Sequence, residues 1–231
     1  MTPILENAEV PIISPARLDT RFVMGWRHFG SKFFRYNFSF HAGLLCGVIP
    51  LRVRLGEFEE SKSQRRVIRR NADLEMRFVP AGHCAAYDRL FVKHRTRFTE
   101  NVPDSLRDFL SEAPAEIPCA NMALEVRLGR ELLAVSFMDI GAEATSSVYA
   151  VFDPEHAPRS LGIFTMLMEI AQSRKLGKVF HYLGYSYSVP SVYDYKKGFH
   201  RVEGYDWGRS WIPMPEEFEW SREVEVTENP R

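Results

Sequence analysis

Apolar and polar positions alternate from Phe33 to Phe40, where Phe33, Phe34, Tyr36, Phe38 and Phe40 mark a half-buried strand. Val48 to Leu55 predicts a second strand, with Arg52 and Arg54 on one face. The period then lengthens. Ser61-Lys62-Ser63-Gln64 opens a helix predicted to end near Asn71. Its Lys62, Arg65, Arg66, Arg69 and Arg70 recur at i, i+3, i+4, i+7 and i+8, so they form one stripe, while Val67 and Ile68 face a core. Upstream, the run from Leu18 through Met24-Gly25-Trp26-Arg27-His28-Phe29-Gly30 predicts a short helix ending near Gly30. Downstream, Arg89 to Phe98 reads as helix. Pro103-Asp104-Ser105 reads as the start of another, through Leu106, Phe109 and Leu110.

Leu124–Leu128 and Leu132–Ile140 predict two strands joined by a turn at Gly129-Arg130. Val148 to Phe152 is an almost continuous apolar run, as in a central strand. Gly162 opens a helix with Phe164, Leu167, Met168 and Ala171 on one face, and Val179 to Leu183 is another buried strand. The order hairpin, strand, loop, helix, strand predicts an α+β fold: an acetyltransferase-like (GNAT-like) mixed β-sheet flanked by helices. Residues 1–16, with Pro3, Pro11 and Pro15, read as an irregular arm. Residues 17–113 form a first lobe, Pro114 to Pro118 the boundary, residues 119–212 a second lobe, and 213–231 an acidic tail.

Composition narrows the class. At 231 residues the chain buries one substantial core, or two small lobes sharing one. Apolar residues make up 45%, which argues against long disorder. The formal net charge is zero, so a polyanion must be held by local clusters. Such clusters exist: Arg17 to Arg54 carries seven Lys or Arg and one acid, Asp19. Cys46, Cys84 and Cys119 are widely spaced and odd in number, which argues against a disulfide framework and fits a reducing compartment. No secretory signal or membrane-length apolar run is recognised, so a cytoplasmic protein without a membrane partner is expected.

Arg159-Ser160-Leu161-Gly162 partly matches the R/Q-x-x-G-x-G/A loop that presents backbone N–H groups to an anionic donor at a helix N-terminus. Phe164 stands where that loop has a small residue. The other reading is an ordinary helix start, with Gly162 allowing close packing. The stripe on the Lys62–Arg70 helix likewise reads as a solvated face or as a track for tRNA phosphates.

Several motifs occur in one order: Ala134-Val135, Asp139-Ile140, Ser146-Ser147-Val148-Tyr149, Asp153-Pro154, Ser160-Leu161-Gly162, Tyr182-Leu183-Gly184-Tyr185 and Tyr195-Lys196. With Gly25 to Gly30, Pro50-Leu51-Arg52 and Ser63-Gln64-Arg65-Arg66, they resemble the aminoacyl-tRNA–protein transferases, comprising arginyl-tRNA–protein transferases and bacterial aspartate/glutamate leucyltransferases. Two features depart from that family. Its C-x-x-C-x-x-C cluster, linked to metal or iron–sulfur binding, falls here on Ala42, Leu45 and Val48, and nearby Cys46 and His41 are at the wrong spacing. No metal and no cofactor are therefore expected, and Cys46 reads as a small buried group. Its Lys-Met pair is replaced by Val192-Tyr193.

The resemblance implies transfer of a leucyl or arginyl group from aminoacyl-tRNA to the N-terminal amine of a protein beginning with Asp or Glu, which marks it for degradation. Length favours the leucyl branch. The reaction needs a group that takes the amine's proton and a donor for the developing oxyanion. The motifs nominate Ser146, Ser147, Tyr149, Tyr185, Tyr195 and Asp139 for catalysis. They nominate Arg159, Ser160, Gly162 and Lys196 for substrate binding, with Arg159 or Lys196 meeting the acceptor's carboxylate. Lys62, Arg65, Arg66, Arg69 and Arg70 are the tRNA candidates. The alternatives are transfer to another amine, acyl-CoA-dependent transfer, and a non-catalytic RNA- or protein-binding relative.

Overall fold

A capping box starts the helix that the polar pattern marks most clearly. Ser61 Oγ accepts from the Gln64 N–H at 3.2 Å, and the Gln64 side chain accepts from the Ser61 N–H at 2.9 Å. The helix runs Lys62–Arg70, buries Gln64 and Val67, and leaves all five stripe cations exposed.

The computed structural model describes residues 2–41, 43–99 and 102–214. Its elements are β1 (Leu5–Glu9), α1 (Pro15–Val23), β2 (Arg27–Phe29), β3 (Lys32–Tyr36), β4 (Phe38–His41), β5 (Leu44–Arg54), α2 (Lys62–Arg70), β6 (Glu75–Pro80), α3 (Ala85–Arg95), β7 (Asn121–Leu128), β8 (Glu131–Ile140), β9 (Ala144–Phe152), α4 (Leu161–Lys175), β10 (Phe180–Tyr187), β11 (Val202–Tyr205) and β12 (Trp211–Pro213).

Three expectations are corrected. The arm at residues 1–16 carries β1, which pairs antiparallel with β3. The helix expected near Gly30 ends at Val23, and Arg27–Phe29 is a strand, because it reaches hydrogen-bonding partners on β3 across the turn at Gly30 and Ser31. The helix expected from Pro103 is one 3-10 turn, Leu106–Asp108. There the Asp108 carboxylate folds back onto the N–H groups of Asp104 and Ser105. Leu106 and Leu110 are buried against the sheet instead of continuing the helix. The acidic tail beyond residue 214 lies outside the described residues.

One mixed sheet spans both expected lobes in the order β12-β11-β5-β10-β9-β8-β7-β6, with β4 also pairing β5. Thus β5 of the first lobe lies between β11 and β10 of the second. On one face, α4 and α2 bury Phe164, Leu167, Ile170 and Val67 against Leu51, Val53, Leu124 and Val126. On the other, Tyr87, Leu90 and Phe91 of α3 cover Val135, Phe137 and Val151. The β1–β3 sheet and α1 close the remainder, with Leu18, Phe22, Trp26 and Phe33 packed near Tyr182. This is the acetyltransferase-like α+β architecture expected from the order of elements. Among the described residues, no helix is long and apolar enough to cross a membrane.

Candidate active site

The site arises where two parallel strands part. β9 and β10 pair only through Ala144–Ser146 and Phe180–Tyr182. Beyond that point β9 stays with β8 and β10 stays with β5. Each strand bulges there. Val148 is the extra residue on β9, and Leu183 the extra residue on β10. Parting strands leave main-chain carbonyls that need donors. Arg27 of β2 supplies one, donating to Ser147 O and to Ser146 Oγ. Lys196, in the turn after β10, supplies the other, donating to Tyr185 O at 3.2 Å.

Gly184 lets the two cations converge. Its φ of +90° suits glycine. A carbon at its Cβ position would lie 3.2 Å from Lys196 Nζ and 3.7 Å from Arg27 Nη2. Burial, reinforced by the neighbouring Arg27 charge, lowers the Lys196 ammonium to about 7.

Beneath the cations is a buried acid. Glu169 projects from α4, and its Oε2 accepts from Ser147 Oγ. Its Oε1 has no hydrogen-bond partner among the described residues. Burial pushes the Glu169 carboxyl up to about 7, against the opposing pull of Ser147, Ser136 and Arg27. His181 of β10 lies 3.7 Å from Glu169 and 3.1 Å from Ser147 Oγ, and burial beside Arg27 lowers its imidazole to about 3. Ser147 thus sits at the mouth of the gap with an acid and a neutral imidazole behind it.

The sequence-nominated residues separate into groups. Ser146, Ser147 and Lys196 meet at the parting strands. Tyr195 adjoins them and is partly exposed; burial, then the Glu169 and Tyr193 charges, push its phenol up. Tyr185 is committed to packing, with its hydroxyl donating to Gly25 O at 2.7 Å and its ring against Tyr36. Tyr149 stacks on Phe109 with ring centroids 3.7 Å apart. Asp139 is fully enclosed. Its oxygens accept from Asn121 Nδ2 at 2.8 Å and from Cys119 Sγ at 3.4 Å, and His28 Nε2 lies at 2.9 Å.

Arg159, Ser160 and Gly162 stand apart, at the start of α4, about 10 Å of helix away from Glu169. Arg159 is engaged by Asp73 at 2.8 and 2.9 Å. A Cβ on Gly162 would lie 3.1 Å from the Phe152 ring, so this glycine serves close packing. The basic stripe adjoins this region: Arg70 donates to Pro158 O, and Asn71 donates to Arg159 O at 2.9 Å.

The position of the family's cysteine cluster offers few ligands. Leu45 and Val48 lie on β5, and Ala42 is outside the described residues. Cys46 is buried and donates to Ser39 O at 3.3 Å, while His41 stacks on Tyr187. Those residues do not fit a closed metal or iron–sulfur site. His28, Cys119 and Asp139 do lie within 4.8 Å of one another, but they are hydrogen-bonded together.

Arg27, Glu169 and His181 carried no role in the sequence reading. A signal for Glu169 was present: it is the lone charged residue in the mostly apolar run Leu161 to Ala171, where a charged residue is rarely buried without purpose. Arg27 stood inside the Gly25–Gly30 motif with nothing local to mark its target, which is 119 residues away.

The fold is that of the acetyltransferase-like α+β class, and comparison with known proteins narrows it to a family. The solved structure of FemX shares the fold, with a TM-score of 0.50 at 10% identity, covering 87% of this chain and 69% of that one. Residues 84–206 match the family described as arginine-tRNA-protein transferase, C terminus. The aspartate/glutamate leucyltransferase of Marinobacter nauticus is 33% identical over 183 residues, 78% of this chain and 75% of the relative. That of Stenotrophomonas maltophilia strain K279a is 33% identical over 198 residues, 81% and 76% of the two chains. The chain belongs to the aminoacyl-tRNA–protein transferase family and is an aminoacyltransferase.

Proposed function

We propose that this enzyme transfers a leucyl group from aminoacyl-tRNA to the N-terminal amine of proteins beginning with Asp or Glu. The observation that carries the reading is the convergence of Arg27 and Lys196 at Gly184. A carboxylate entering a half-buried pocket needs paired cations, and two are already positioned beside the opened strands. An acceptor held there by its first side chain brings its α-amine to Ser147. The names of the relatives favour leucyl over arginyl, and acidic acceptors over other amines. Modified acceptors would carry an N-terminal residue that marks them for degradation.

The exposed stripe of α2 is our proposed track for tRNA phosphates, because Arg66 and Arg69 point to solvent one turn apart and close to the start of α4. The CoA alternative is disfavoured by the crowding of Phe152 onto Gly162 and by the engagement of Arg159 with Asp73.

The test is transfer from charged tRNA to peptides that differ only in their first residue. Lys196→Ala should lower transfer to Asp- or Glu-started peptides more than tenfold, since losing a buried charge partner is worth about 2–5 kcal/mol. Its tRNA affinity should hold. Charge reversal of Arg66 and Arg69 should do the opposite, weakening binding of every tRNA while preserving acceptor choice. Equal rates for Asp-, Ala- and Lys-started peptides in the unaltered enzyme would refute the acidic-acceptor reading.

A further inference from the structure

One polarity satisfies every hydrogen bond of 2.8 Å or less between Glu169, Ser173, Thr145 and His181. Ser173 Oγ has one proton and gives it to the main-chain oxygen of Glu169 at 2.7 Å. Thr145 must then be the donor in its 2.6 Å contact with Ser173 Oγ. Having spent its proton, Thr145 must accept from His181 Nδ1 at 2.8 Å. Neutral His181 therefore carries its proton on Nδ1 and presents a bare Nε2 to Ser147 Oγ, 3.1 Å away.

Ser147 has one proton and two claimants, His181 Nε2 and Glu169 Oε2. When Glu169 is protonated it donates to Ser147, and Ser147 donates to His181, so both contacts are satisfied. When Glu169 is ionised, Ser147 turns its proton to the carboxylate, and its oxygen lone pairs face the gap. Toward Glu169, Ser147 thus changes from acceptor to donor as that acid ionises, which leaves its lone pairs to the gap.

We propose that Glu169, acting through Ser147 Oγ, receives the proton that the acceptor amine loses during aminoacyl transfer. This rests on the reading of the site given above. As the amine nitrogen bonds to the ester carbonyl, its N–H proton passes to Ser147 Oγ, and the Ser147 proton passes to Glu169. The carbonyl carbon–oxygen bond breaks, and the departing ribose oxygen takes up one proton in return. No oxidant or other reactant is needed. Glu169 is a positioning and proton-holding residue, and Ser147 is the group that touches the substrate.

The charges facing Glu169 come from every element packed against it: Arg27 of β2, Asp139 of β8, His181 of β10, and Tyr195 and Lys196 after β10. Arg27 favours the ionised carboxyl and Asp139 opposes it. Burial outweighs both and sets the carboxyl near 7, where a proton is taken and returned without a large penalty either way.

The experiment is the pH dependence of single-turnover transfer to two Asp-started peptides whose α-amines titrate at different pH. Each rate should rise along two limbs, one following the peptide and one, near 7, common to both; loss of the Lys196 proton near 7 adds a falling limb, which Lys196→Arg removes from this range. Glu169→Gln keeps the side-chain shape; it should lose about a hundredfold in rate and the common limb, with unchanged tRNA affinity. Glu169→Asp should restore part of that limb. Persistence of the common limb in Glu169→Gln, or its absence from the unaltered enzyme, would overturn the relay. Carboxyl NMR of the full chain gives a readout independent of the acceptor. Glu169 should titrate near 7, and higher in Ser147→Ala, which removes the donor to its carboxylate. Titration in the ordinary glutamate range would reject the relay. If Glu169 titrates as expected but no Asp- or Glu-started peptide is used, the choice of acceptor is wrong and the hydrogen-bond relay stands.

Discussion

Two carboxylates are buried on opposite sides of β9, and their surroundings treat them differently. Asp139, on β8, has a partner on each oxygen: Asn121 and Cys119 donate to one, and His28 meets the other. Burial alone would raise its carboxyl, but His28, Asn121 and Arg27 outweigh that and hold it below the usual range. Glu169, on α4, has one oxygen on Ser147 and the other without a partner among the described residues, and burial wins. The first joins strands: it ties β2, through His28, to β7 and β8. The second retains the capacity to exchange a proton. A buried acid with a partner on each oxygen is structural; one with an unpartnered oxygen beside an open gap is available for chemistry.

The largest effect expected from this contrast is on folding. Asp139→Ala strands His28 in the core and should cost on the order of 3–5 kcal/mol, read as a lowered denaturant midpoint at unchanged slope. Near-normal stability in that variant would erase the distinction between the two acids.

Glu169→Gln should move stability in the other direction above pH 7. In the unfolded chain a glutamate loses its proton near 4.5, whereas folded Glu169 holds it to about 7. The folded state therefore binds the extra proton across that window, and stability falls as pH rises from 4.5 to 7. The variant lacks this loss and should be more stable above pH 7, by about 3.4 kcal/mol at most. Thermal melts at pH 5 and pH 8 for both proteins check it: the gap between them should open only at the higher pH.

The smallest effect concerns a single partner of Asp139. Cys119→Ala removes a weak donor from Asp139 and should cost about 1 kcal/mol, leaving Asn121 and His28 in place. Denaturant titration would show it as a small shift, and a loss as large as that of Asp139→Ala would make the thiol a principal support.

What the linear chain specified by itself was whatever depends on near neighbours. The α2 capping box, its cationic stripe, the aromatic alternation of β3 and β4, and the turn at Gly129-Arg130 follow from residues within a few positions of one another. Ser147 and Lys196 were nominated because each stands in a motif. Tertiary structure decided the rest. Arg27 reads as part of a helix in the chain and became a strand residue because β3 offered it partners. It meets Ser147 across 120 residues, and Glu169 meets Ser147 across 22. Those meetings exist only because two parallel strands separate after Ser146 and Tyr182, exposing carbonyls that distant side chains must satisfy. Hydrogen-bond demand created by a sheet's register has no image in local periodicity. Burial, the cause of the Glu169 and Lys196 shifts, is likewise a property of the packed fold and not of the residue.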